Sequence, residues 1–312
     1  MNIKKIGIAG CGQMGQGIAL LSAHAGYQTT VSDLNEELLH KGQNAIHSQI
    51  MKDIARGRLL RRDEEIIHGN LTGTTRLDDF ADCDLVLEAI IENMDEKKKL
   101  FAQLDRICKP QTILASNTAC LSIAEMAMAT NRQDKFIGIH FFNPVNVMTL
   151  LEVVVDVLCS EETIQSVKTF GESLGKSVIV VKDEPGFVVN RLLGPFILEA
   201  IRILESGIAS KEDIDTSMVL GCNHPMGPLR LADFIGLDTL YYITTCLCKE
   251  YQDNRYAPPL TLQRMVQAGH LGRKTGKGFY EYEQHHNSNF EHMPRYQDKY
   301  GDTLNLRAII GP

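Results

Sequence analysis

One stretch constrains this chain more than any other: the apolar run Ile3–Ala9 entering Gly10-Cys11-Gly12-Gln13-Met14-Gly15. The run reads as a buried parallel strand. A helical pattern follows, with Ile18, Leu21 and Ala25 at helical spacing until Gly26. A second strand-like run, Thr29-Thr30-Val31, ends at Asp33. Strand, glycine turn, helix, strand and acid together form a dinucleotide-binding βαβ pattern. Gly10 permits the sharp turn, Gly12 lets backbone approach a pyrophosphate, and Gly15 lets the helix lie close on the sheet. The helix N-terminus offers unpaired N–H groups and partial positive charge to phosphate. Asp33 stands where a carboxylate accepts the adenosine ribose hydroxyls. With Glu36 and Glu37 close behind and no Arg nearby to neutralise a 2′-phosphate, NAD is expected rather than NADP.

The rest of the first half repeats this grammar. Strands are expected at 71–75, 84–90, 112–116, 135–142, 150–155 and 176–181, with helices at 35–60, 95–108, 122–130 and 161–175 between them. Alternation of this kind predicts a doubly wound, Rossmann-type α/β fold with a mostly parallel sheet. At Asp183-Glu184-Pro185-Gly186 the pattern changes. A long helix is expected from Phe187 to Ser206, another from the Ser210 capping box, and more over 229–251 and 259–268. The expected organisation is a nucleotide-binding domain at 1–185 and an all-helical C-terminal domain at 186–283. Residues 284–312 are polar and weakly patterned, read either as a loosely ordered tail or as an arm packed on a partner subunit.

Composition narrows the class. With 312 residues, 44% of them hydrophobic and 23% charged, the chain has room for two domains and a sizeable core. A net charge of −7 argues against nonspecific nucleic-acid binding. No apolar run is long enough to span a bilayer, and the first strand begins so early that no signal or transit peptide is expected. The eight cysteines sit mostly in apolar patterns without metal spacing, as reduced core thiols of a cytoplasmic protein do. The ten histidines lack a zinc pattern, and His285-His286 alone is too slight for one.

Ligands of a doubly wound sheet bind outside the strands' carboxyl ends. The candidates there are Asp33, Glu92, Asn117 and His140-Phe141-Phe142-Asn143-Pro144, joined by Glu152 and Asn190. Imidazole exchanges protons near neutral pH, so His140 is the natural general base for an alcohol losing hydride; it also reads as a buried structural histidine. Glu152, twelve residues on, reaches its far nitrogen if the intervening loop folds the two strands side by side. Lys52 and Arg56 share one helix face, as a solvated surface or as a clamp for the phosphates of a large anionic substrate.

Several motifs in order resemble the short-chain L-3-hydroxyacyl-CoA dehydrogenase family, in particular its bacterial 3-hydroxybutyryl-CoA members. They are Gly10–Gly15 with Met14, Glu88-Ala89-Ile90-Ile91-Glu92-Asn93, Ser116-Asn117-Thr118, His140–Pro144, Pro185-Gly186-Phe187-Val188-Val189-Asn190-Arg191, His224–Pro228 and Gly272–Tyr280. The resemblance, running from residue 3 to about 282, implies His140 as catalytic base held by Glu152. It implies Asn190 beside the substrate oxygen and Asn117 near nicotinamide and substrate. Gly10, Gly12, Gln13, Met14, Gly15, Asp33, Glu92, Lys97, Asn143 and Lys274 then match cofactor positions. Lys52 and Arg56 match positions near coenzyme A, and the helical domain implies a homodimer.

One position departs. The family reads Ser-Asn-Thr-Ser, and here the last residue of that motif is Ala119 at the substrate site. Losing a donor near developing charge costs about 2.7–4 kcal/mol of transition-state stabilisation. A shifted substrate, an introduced substitution, or another hydroxyl or water in its place each accounts for it. Two further readings stay open: the same chemistry on an acyl-carrier-protein thioester, or a catalytically weakened NAD-binding homologue.

Overall fold

The computed structural model describes residues 2–282, so the expectations for 284–312, His285 and His286 included, lie outside the described residues. In chain order the elements are β1 (Lys5–Ala9), α1 (Gln13–His24), β2 (Gln28–Ser32), α2 (Glu36–Ala55), α3 (Arg61–Asn70), β3 (Leu71–Thr74), β4 (Leu85–Glu88), α4 (Met94–Ile107), β5 (Ile113–Ser116), α5 (Ile123–Ala127), β6 (Phe136–Phe141), β7 (Leu150–Val155), α6 (Glu161–Ser173), β8 (Ser177–Lys182), α7 (Val189–Glu205), α8 (Lys211–Gly221), α9 (Pro228–Ile235), α10 (Leu237–Tyr251) and α11 (Leu260–Gln267).

All eight strands form one sheet, ordered β3-β2-β1-β4-β5-β6-β7-β8. β1 to β6 are parallel to one another; β7 runs antiparallel to β6 and parallel to β8. The order reverses between β1 and β4, which places the Gly10 turn at the sheet's switch point. Alternate strand residues feed two cores. Ile6, Ile8, Leu85 and Leu87 pack with α1, α2, α3 and α6, while Val86, Leu114 and Phe136 pack with α4 and α5. Helices therefore cover both faces, as a parallel sheet requires.

The helix expected over 35–60 stops earlier, at Ala55; Gly57 takes φ +68°, and a further helix not expected from the sequence, α3, begins at Arg61. Glycine in a left-handed turn stops a helix without steric cost. Lys52 and Arg56 remain one turn apart, because the Arg56 N–H still donates to the Lys52 carbonyl at 3.1 Å.

Two compact units emerge. The first comprises residues 1–194 and 245–255, so it takes in the sheet, the start of α7 and the end of α10. The start of α7 stays with the sheet because Glu152 Oε1 accepts the N–H groups of Val188 and Val189 at 3.2 and 3.1 Å.

The second unit is helical. Asp215 on α8 receives the Leu229 N–H at 2.8 Å, capping α9, and the Tyr280 hydroxyl at 2.8 Å. Asp233 receives the N–H groups of Phe279 and Tyr280 at 2.9 Å each. A Cβ on Gly278 would lie 1.9 Å from Asp233 Oδ1, so the glycines of the 272–280 motif let that segment close on α9.

Candidate active site

The site builds from a glycine turn. Gly10 has φ +108°, and a Cβ there would lie 2.6 Å from the Ala89 carbonyl. A Cβ on Gly15 would lie 1.8 Å from the Gly10 carbonyl, which is why α1 can start so near the sheet. Gly12 is different: a Cβ there would meet nothing within 4 Å. The space beside it is open. α1 also begins with no side-chain cap and no acid in its first turn. Its leading N–H groups and positive end are left for an anion. Asp33 lies beside them, accepting the Cys11 N–H at 3.0 Å and the Leu34 N–H at 2.7 Å. Gln13 is exposed and Met14 half-buried on the same first turn. These residues fit a dinucleotide: open backbone and dipole for the pyrophosphate, a carboxylate for the ribose.

The β6–β7 pairing makes the second part. Antiparallel register sets His140 directly opposite Glu152. Their side chains meet at 2.7 Å, His140 Nδ1 to Glu152 Oε2, with exposures of 8% and 0%. A carboxylate only accepts, so Nδ1 carries the proton and Nε2 presents its lone pair. Nε2 has no hydrogen-bond partner among the described residues. The rings of Phe142 and Phe187 flank the imidazole at centroid distances of 4.5 and 5.5 Å. Glu152's other oxygen sits at the N-terminus of α7, where amide donors and the helix dipole favour a negative charge.

Asn117, at the end of β5, accepts the Phe141 N–H at 2.9 Å and so ties β5 to the residue after His140. Asn190 donates from Nδ2 to the Ala119 carbonyl at 3.2 Å. The Ala119 N–H donates to Glu92 Oε1 at 2.9 Å, and Thr118 Oγ1 donates to that oxygen at 2.5 Å. Glu92 thus holds the 117–120 loop. Behind it lies Lys97, with no exposed surface, paired to Glu88 at 2.5 Å and Glu92 at 3.1 Å. Burial pushes the Glu88 carboxyl above the usual carboxylate range despite Lys97. Asn143 is exposed beyond β6 and precedes a cis Pro144.

Asn117, Ala119, His140, Glu152 and Asn190 therefore converge in the first unit. Lys52 and Arg56 are half-exposed on α2 and its end, with no ion pair among the described residues. Lys274 belongs to the second unit, where it pairs with Asp238 at 2.5 and 2.6 Å. Sequence reasoning missed Asp183, which accepts the Ser122 hydroxyl and the N–H groups of Ile123 and Ala124 at 3.1, 3.0 and 2.8 Å. It fixes the start of α5 just after the site loop, and no local spacing announces a cap 60 residues away. It also missed Phe187, whose φ of 51° follows Gly186 and turns its ring to His140.

A nucleotide-ready glycine turn and a carboxylate-braced imidazole on one sheet define a dinucleotide-dependent dehydrogenase of hydroxyl substrates. Comparison with known proteins narrows the class: residues 5–184 match the NAD binding domain of 3-hydroxyacyl-CoA dehydrogenase, and residues 186–282 match its C-terminal domain. The chain belongs to the 3-hydroxyacyl-CoA dehydrogenase family, and its cofactor is NAD. A probable 3-hydroxybutyryl-CoA dehydrogenase of Deinococcus radiodurans is 48% identical, over 89% of this chain and 100% of the relative. The crystal structure of M. tuberculosis FadB2 superimposes with a TM-score of 0.89 at 43% identity, over 90% of this chain and 100% of that one. The (S)-3-hydroxybutyryl-CoA dehydrogenase PaaH1 from Ralstonia eutropha gives 0.86 and 43%, over 91% and 100%.

Proposed function

We propose that this chain interconverts a short-chain 3-hydroxyacyl-CoA and its 3-oxoacyl-CoA, with the C4 substrate 3-hydroxybutyryl-CoA as its representative. The observation carrying this is the 2.7 Å His140–Glu152 contact, with Nε2 left as the accepting atom. Oxidation removes a proton from the 3-hydroxyl and a hydride from its carbon. His140 Nε2 takes the proton, and Glu152 stabilises the imidazolium and fixes its tautomer. Bound NAD supplies the hydride acceptor. Phe142 and Phe187 exclude water around the imidazole, which strengthens each polar contact there. Asn190 positions the substrate oxygen from the first turn of α7, and Asn117 holds the end of β6 in place beside the nicotinamide. Gly10, Gly12, Gln13, Met14 and Gly15 hold the pyrophosphate, Asp33 the ribose, and Glu92 and Asn143 complete the nucleotide's surroundings, with Lys97 fixing Glu92 from behind. Lys52 and Arg56 meet the phosphates of coenzyme A.

The assignment gives nucleotide work to 1–185 and substrate and dimer work to 186–283. Ile208, Leu220 and Leu260 expose 76%, 79% and 54% of their surface, apolar area that a second copy would cover. Eight free thiols suit a reducing cytoplasm.

A substrate panel tests the reading, following NADH absorbance. Acetoacetyl-CoA with NADH is expected to turn over fastest, with NADPH and longer acyl chains poorer. Turnover confined to acyl-carrier-protein thioesters would contradict the coenzyme A assignment, and turnover of no 3-oxoacyl thioester would leave only a nucleotide-binding homologue.

A further inference from the structure

Away from the carboxyl edge of the sheet, α2 and α3 bring three metal-ligating side chains together. His47 lies on α2; Glu64 and His68 are four residues apart on α3 and so share a face. One ligand atom from each lies within 4.8 Å of the other two. The imidazoles tilt 37° to each other with centroids 5.8 Å apart, and Glu64 Oε1 is 4.0 Å from His68 Nε2. That separation is too long for a hydrogen bond. His47 is exposed and makes no hydrogen bond or ion pair among the described residues. The cluster is therefore converging but unsatisfied from within.

We propose that His47, Glu64 and His68 form a binding site for a divalent transition-metal ion of the zinc class, bridging α2 and α3. Two imidazoles and a carboxylate are the donors borderline ions prefer, whereas calcium and magnesium seek oxygen alone. Bonds of about 2.0–2.2 Å at tetrahedral angles need donors roughly 3.4 Å apart, so the trio closes by a little over 1 Å. Side-chain rotation supplies that movement, since His68 and Glu64 keep 52% and 28% of their side-chain surface in solvent. Three protein ligands leave a fourth position for water. The ion spans the 56–60 turn and fixes α3 against α2, the helix that carries Lys52.

Titration of Zn2+ into the full chain by calorimetry, under a reductant that does not bind metal, tests this. Wild type is expected to bind the ion, with His47→Ala and His68→Ala each weakening it by at least about tenfold. Tryptic cleavage at Arg56 and Arg58 is expected to slow with Zn2+ in wild type and not in the variants. Equal affinity in wild type and both variants would place the ion elsewhere, for instance on the exposed Cys222 thiol, and would overturn the proposal. No uptake by wild type would overturn it as well.

Discussion

Ala119 stands where the family resemblance implies a serine, and its surroundings bear on what could replace that hydroxyl. Three hydroxyls lie close in sequence, and each is engaged. Ser116 donates to Glu88 at 2.6 Å, Thr118 to Glu92 at 2.5 Å, and Ser122 to Asp183 at 3.1 Å. The Ala119 backbone itself is held at both ends, by Glu92 and Asn190. None of these three hydroxyls is free to take over. Ala119→Ser should fold unchanged and raise kcat/KM for the C4 thioester by about two to three orders of magnitude, the cost usually seen for one donor. An unchanged kcat/KM would show a site adapted to alanine. Cys11 gives a second residue-scale test. Burial, then the Asp33 charge, pushes its thiol up to about 11. Only thiolate alkylates readily, so at pH 8 iodoacetamide should label exposed Cys222 well before Cys11, as peptide mass mapping would show. The His140–Glu152 pair was legible as a possibility from its spacing; the commitment of neighbouring hydroxyls was not, because their partners lie 26 to 61 positions away.

Among the elements, the β1–α1 turn separates two jobs that its motif runs together. Gly15 serves packing and Gly12 serves the ligand. Gly15→Ala drives a methyl into the Gly10 carbonyl, so it should lower the melting temperature and abolish NADH binding together. Gly12→Ala meets open space; it should melt with wild type yet bind NADH at least tenfold more weakly, as fluorescence titration would report. Buried charge supports the next turn. Removing Lys97 leaves Glu88 and Glu92 without their cation. Lys97→Met should cost about 3–5 kcal/mol in urea unfolding, as other broken buried pairs do. The strands and most helices were legible because apolar periodicity and glycine placement speak locally. The early end of α2 and the separate α3 were not, since apolar spacing continues past Gly57 while the backbone there turns left-handed.

For the whole molecule, a boundary is expected where strands stop, near residue 185, and the two family-domain matches, 5–184 and 186–282, meet there. By contacts, the unit that holds the sheet also takes in 186–194 and 245–255. The pull is specific: the first turn of α7 binds Glu152, and Leu247 packs on Gly186, where a Cβ would lie 2.7 Å away. A break in pattern marks where an element type ends; it does not show which core buries the next helix. Sedimentation should return twice the chain's mass, and a monomer at micromolar concentration would remove the proposed dimer. The central claim is that holding the nucleotide and taking the proton are separable tasks, the second resting on one imidazole. The direct measurement is His140→Gln, assayed for acetoacetyl-CoA reduction and NADH binding on the same preparation. The account predicts turnover lost by at least about three orders of magnitude with NADH affinity within twofold of wild type. Turnover near wild type would contradict it.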